Sequence, residues 1–218
     1  MRCDVTAAQL LHVLQINDSL FPVGGFAYSD GLETAVANGA VGDGRSLEEW
    51  LLHYVRQVFI PCDGQAVFCA MGADAGTLAQ IDDELTAIKP AAATRASSAM
   101  LGTRLLKTIA VIRDFPEPSY RTFPVAYGFV CAHLQVSPDV ALLAFAYNRL
   151  ASATSAALRL MAIGQHEAQG ILTRVLEAVP EAVDTILNSG RQELRCFAPL
   201  LDIQQMNHRY LYSKLFRS

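Results

Sequence analysis

Charge is scarce in this chain. Only 17% of its 218 residues are Asp, Glu, Lys or Arg, against 52% that are apolar. So thinly charged a surface leaves apolar patches, and such patches mark contacts with other macromolecules. No stretch approaches the roughly 18 uninterrupted apolar residues of a membrane-spanning helix, so no membrane partner is expected. Arg2 is followed at once by Cys3-Asp4, without the apolar segment of a secretory leader. The net charge of −4, with one short basic cluster at the C-terminus, argues against nucleic acid as a partner. The five cysteines (Cys3, Cys62, Cys69, Cys131 and Cys196) form an odd set without a CxxC. Reduced thiols in a cytoplasmic protein are the expectation.

The usual signatures of chemistry are missing as well. The five histidines (His12, His53, His133, His166 and His208) make no HxxxH or HExxH pair. Cys62 and Cys69 lie about 10 Å apart along one helix, too far to share an ion or a disulfide. Ser29 stands two residues before Gly31, but Ala27 takes the place where a nucleophile elbow needs its first glycine. No catalytic or cofactor-binding set is therefore assigned. Gly24-Gly25, ahead of a helix carrying Leu32 and Val36, suggests a phosphate cradle. Against it, the GK[ST] of a P-loop is absent, and no Lys or Arg occurs between Cys3 and Gly44. Asp4, Asp18, Asp30, Glu33 and Asp43 make that stretch acidic, so an anion would be repelled. Two readings of the bend stand: a structural turn, or a surface for a basic or switch-like partner.

What the chain does contain is helix. Thr6-Ala7-Ala8-Gln9 and Ser46-Leu47-Glu48-Glu49 both read as capping boxes. After the second, Leu47, Trp50, Leu51, Tyr54, Val55 and Val58 fall on one helical face, which should end before Pro61. Further helices are expected over 63–72, 77–88, 92–113, 124–134, 139–163, 166–178 and 181–188, broken by glycine and proline. Strands are not needed, and no repeat or linker divides the chain. The expected fold is all-α, a single-domain bundle of about nine or ten helices over 1–218, with 139–163 at its centre. On that helix Asn148, Ser152, Ser155 and Arg159 align on one face. Such a seam is satisfied by hydrogen bonds within the bundle or lines a polar groove.

The C-terminus is the most unusual segment. After Asp202 no acidic residue follows, while Arg209, Lys214 and Arg217 are basic and Met206, Tyr210, Leu211, Tyr212, Leu215 and Phe216 are apolar or aromatic. Terminal residues fray unless something holds them. Two occupants would cover this tail (203–218): its own domain, with the tail as a last amphipathic helix, or a second protein.

Taken together, these segments resemble the urease accessory protein UreF family. Leu20-Phe21-Pro22-Val23-Gly24-Gly25-Phe26-Ala27-Tyr28-Ser29-Asp30-Gly31-Leu32-Glu33 is similar to that family's P-x-G-G-[FYH]-x-x-S-x-G-L-E signature. Met100-Leu101-Gly102-Thr103-Arg104 and Phe123-Pro124-Val125-Ala126-Tyr127-Gly128 resemble family segments, as does Arg159-Leu160 through Gly164-Gln165 to Gln169. His208 through Leu215-Phe216-Arg217-Ser218 is similar to H-E-x-x-Y-S-R-L-F-R-S, with Arg209 in place of the usual Glu and Lys214 in place of Arg. The resemblance spans essentially the whole chain.

It implies a non-enzymatic, all-α, homodimeric assembly factor. Such a protein links a UreD-like (or UreH-like) protein and a nickel-carrying UreG-like GTPase on apo-urease, with nickel handled by the complex. Carried over residue by residue, His208, Tyr212, Ser213, Leu215, Phe216, Arg217 and Ser218 would dock the UreD-like partner, as a handle whose removal leaves the fold intact. Gly24, Gly25, Ser29 and Glu33 would form a surface facing the GTPase, and Arg159, Gln165 and Gln169 would lie on or near a polar route between partners. The alternatives are an adaptor unrelated to urease, or a small helical enzyme using the Gly24-Gly25 loop.

Overall fold

The computed structural model describes residues 6–115 and 122–217. Among them the chain is helical and forms no strand. The helix α1 (Ala7–Asn17) opens on the expected box, with Thr6 and Gln9 each capping the other's backbone. A glycine-rich bend leads to the short α2 (Leu32–Ala37). The next helix, α3 (Gly44–Tyr54), has its cap three residues before the expected one. Asp43 takes the cap position, its Oδ1 accepting the Ser46 N–H at 2.8 Å, and the Asp43 N–H donates to Ser46 Oγ at 3.1 Å. Ser46 closes this box and does not open one, because the anionic carboxylate of Asp43 accepts well from the orphan amides and suits the positive end of the helix.

Pro61 does not end this helix. The chain continues through a π-helical turn (Val55–Asp63) straight into α4 (Gly64–Ala70). Wider winding accommodates a proline that an α-turn would reject, since both the missing N–H and the ring clash are tied to i→i−4 spacing. The apolar face read from the sequence is otherwise kept: Leu47, Leu51, Val55 and Val58 are buried.

Next come α5 (Ala75–Ile88) and α6 (Ala92–Ile112), then α7 (Phe123–His133), α8 (Pro138–Leu160), α9 (Gln165–Leu176) and α10 (Val179–Ser189). Two helices share the middle of the bundle: α8, which packs against α1, α2, α3, α4, α7, α9 and α10 as the expected central helix, and α7. From Phe123 to Gly128, and again at Val130 and Cys131, every residue of α7 is buried. A helix apolar all round belongs inside. Its approach to α4 requires Gly128, where an added Cβ would stand 2.4 Å from the Val67 carbonyl oxygen. Phe123 and Tyr127 pack with Phe145 of α8, ring centroids 5.2–5.6 Å apart. In contrast, α8 keeps one open face. Tyr147, Asn148, Ser152 and Ser155 line a groove between α8, α1 and the bend, so most of the polar seam borders a groove.

A connection over 190–198 leads to α11 (Pro199–Asn207), a 3₁₀ turn at His208–Tyr210, and an extended tail. No helix of the described residues is long and apolar enough to cross a membrane.

Candidate partner-binding site

The bend owes its path to two left-handed glycines. Gly24 has φ +77° and Gly31 φ +90°. At Gly31 a side chain would also strike α11, with Gln205 Cγ at 3.0 Å and its backbone nitrogen at 3.1 Å. Glycine is thus needed twice over, for the backbone conformation and for the close approach. Gly25, by contrast, faces open space.

That approach brings the tail onto the bend, and Glu33 receives it. Its Oε1 accepts the Leu215 N–H at 2.6 Å, and its Oε2 accepts the Phe216 N–H at 3.3 Å. The same Oε2 lies 2.7 Å from His208 Nε2. Glu33 is only 5% exposed and His208 2%. A buried carboxylate demands such partners, because an uncompensated charge costs several kcal/mol in the interior, about 3–5 when one member of a buried pair is removed. The Glu33 N–H rests on Ser29 Oγ, itself buried.

Three further contacts extend the clasp. The Arg217 N–H donates to the Ala27 carbonyl at 2.9 Å. Phe216 is buried in the core, and the Arg159 guanidinium lies 4.2 Å from its ring centroid. Arg159 also donates to the Phe26 carbonyl at 2.8 Å, joining α8, bend and tail at one point.

One expectation is corrected here. Glu33 and Ser29 do not form a surface: burial and their hydrogen bonds place both inside, so neither side chain can face a partner directly. The tail is likewise anchored in the domain, with His208 and Phe216 in the interior. Only part of it stays open. Tyr212, Ser213, Leu215 and Arg217 are exposed, whereas Ser218 lies outside the described residues. Gln165 and Gln169 are exposed on the first turns of α9 and join none of the clasp's hydrogen bonds among the described residues.

The most telling feature went unread in the sequence. On α11, Leu201, Gln204, Gln205 and His208 point inward, at i, i+3, i+4 and i+7. This inner stripe is largely polar. Gln204 accepts from Asn38 at 2.7 Å, Gln205 accepts from Thr94 at 2.9 Å, and Glu33 holds His208. The outer side is the apolar one: Leu200 is 66% exposed, Ile203 46% and Met206 42%. Phe197, Tyr210, Tyr212 and Leu215 continue it at either end. A helix held by hydrogen bonds while showing leucine and isoleucine to solvent reverses the normal arrangement. The signal was present in the i, i+3 spacing of Leu200 and Ile203, but which stripe faces in is not a sequence property.

Beneath the clasp lies a second polar centre, around a cavity of about 60 Å³. Asp30, itself at φ 51°, pairs with Arg149 of α8. Lys89 Nζ sits 2.6 Å from Asp63 Oδ1, and Tyr54 donates to Asp63 Oδ2 at 3.4 Å. Burial works against both cations, yet the facing carboxylates hold Lys89 and Arg149 charged well above their ordinary ranges. Burial, then the Asp63 carboxylate, pushes the Tyr54 phenol far up. Arg149 in a long apolar helix was the available clue, since a buried guanidinium needs a carboxylate. Among the described residues no three of His, Cys, Asp and Glu come together as a metal-ligand group.

With this geometry in hand, the comparisons fall into place. A family model described as UreF matches residues 41–176. The urease accessory protein UreF of Ruegeria sp. (strain TM1040) is 34% identical, covering 98% of this chain and all of the relative. That of Actinobacillus pleuropneumoniae serotype 3 (strain JL03) is 32% identical over 96% of this chain and 99% of its own. In Methylibium petroleiphilum the corresponding protein is 30% identical over 97% and 95%. These alignments run over nearly the whole chain, well beyond the span of the family model. The chain belongs to the UreF family.

Proposed function

We propose that this protein is a non-enzymatic cytoplasmic scaffold of urease maturation, joining a UreD-like protein and a UreG-like GTPase during GTP-dependent nickel insertion into apo-urease. The observation that carries the reading is the apolar outer face of α11 and the tail, in a chain whose full-length relatives are urease accessory proteins. Exposed Leu200, Ile203, Tyr210, Tyr212 and Leu215, flanked by Arg209 and Lys214, make a surface that another protein would cover. This face docks the UreD-like partner.

The open side of the bend, at Gly25 and Phe26, is the second hold and takes the GTPase. Glu33 and Ser29 serve it from inside, by fixing the bend's backbone against the tail. Arg159 ties Phe26 to Phe216, so the two holds share one support. Nickel is cargo of the assembled complex, and the protein acts as a homodimer.

Co-expression with UreD-like and UreG-like proteins, followed by size-exclusion chromatography, tests the reading. A complex containing all three, and loss of urease activation in cells lacking this chain, are the expected results. Urease activated undiminished without it would overturn the proposal.

A further inference from the structure

Cys62 and Cys196 are far apart in sequence but meet where the connection to α11 crosses the π-helical turn. The Arg195 N–H donates to the Pro61 carbonyl at 2.9 Å, which seats the two adjoining cysteines side by side. They pack in one cluster, Cys62 fully buried and Cys196 partly open. Interaction with the neighbouring Cys62 thiol first, and the Lys89 ammonium nearby, hold Cys196 below the ordinary thiol range, while burial, Asp63 and Asp202 oppose. The same interaction, then burial, push the Cys62 thiol far up. One thiol is thus an accessible nucleophile and the other a shielded neighbour, the division of labour of a reactive pair. The other described cysteines lack it. Burial pushes Cys131 up to about 12, and Cys69 is buried with Gln65 and the Gln192 carbonyl as its partners.

We propose that Cys62 and Cys196 form an oxidative modification site, at which a low-molecular-weight disulfide such as glutathione disulfide converts the pair to an intramolecular disulfide. The Cys196 thiolate attacks one sulfur of the reagent, whose S–S bond breaks and releases one glutathione thiolate. Cys62 then loses its proton and attacks the Cys196 sulfur, expelling the second glutathione, which takes up that proton. The protein gives up two electrons and the reagent becomes two thiols. Bonded sulfurs lie about 2 Å apart, so the two side chains turn toward each other as the bond closes. The bridge fastens the connection ahead of α11 to the π-helical turn. It is independent of the urease reading.

The test equilibrates the reduced full chain against a series of glutathione disulfide to glutathione ratios, then counts thiols after a denaturing maleimide quench. The five thiols should fall to three in one step. Chymotryptic cleavage after Phe59 and Phe68 separates Cys62 from Cys69, and the cross-linked peptide should join Cys62 to Cys196. Cys62→Ala should instead retain a single glutathione on Cys196. Cys196→Ser, at a partly open position that preserves the fold by circular dichroism, should keep its four thiols. Should the buried Cys62→Ala variant fail to fold, Cys196→Ser carries the comparison. Five thiols persisting across the series, a stable glutathione adduct on the unmodified chain, or a bridge to any other cysteine would overturn the proposal.

Discussion

At the residue scale, Glu33 decides how the chain ends. Its two oxygens receive two backbone amides and an imidazole nitrogen from a segment some 175 positions later. Glu33→Gln keeps the volume but turns one acceptor into a donor facing other donors. It should cost about 1–3 kcal/mol, read as a fall of roughly 2–10 °C in Tm, with faster tail proteolysis. An unchanged Tm would show that the carboxylate is dispensable. Asp43 offers a pH test. Its hydrogen bonds with Ser46 hold its carboxyl below the usual 3.8. A depressed folded value contributes stability above the unfolded value, and that contribution disappears as the pH falls through the folded one. The advantage of the native chain over Asp43→Asn, measured as a Tm difference, should therefore be constant near neutrality and shrink below about pH 4.

At the element scale, α11 carries the argument. Helix boundaries were largely legible, since capping, proline and glycine signals placed 92–113, 124–134 and 139–163 within about three residues of α6, α7 and α8. The π-helical turn was not, because proline's rule is written for α geometry. Nor was the orientation of α11. A polar stripe of Gln204, Gln205 and His208 reads as a solvent face until Asn38, Thr94 and Glu33 are known to wait beneath it. Because its outer residues touch solvent, Leu200→Asp with Ile203→Asp should leave stability within about 0.5 kcal/mol. The same pair should weaken capture of the UreD-like partner at least tenfold, by about 1.4 kcal/mol or more. Equal capture by surface plasmon resonance would move the docking face elsewhere.

For the whole molecule, the bend, α8, α11 and the tail form one joint and not a core with an appendage. Deleting residues 207–218 removes every partner of the Glu33 carboxylate that the tail supplies and uncovers the site filled by Phe216. Truncation should therefore lower stability by about 3–5 kcal/mol, seen as a lower midpoint in urea, as well as abolish partner capture. A truncated protein that melts like the full chain would show the tail to be a separate handle after all.

Capping, punctuation and helical periodicity determined the all-α class and most helix positions, and segment-by-segment likeness carried the family resemblance, because both depend on short-range spacing. They also singled out the bend and the tail as unusual. Only the tertiary structure decided that the two are a single site, that Glu33 lies inside it, and that α11 turns its leucines outward. Those outcomes rest on hydrogen bonds between side chains and backbone far apart along the chain, and no local pattern encodes which donor a buried acceptor will meet.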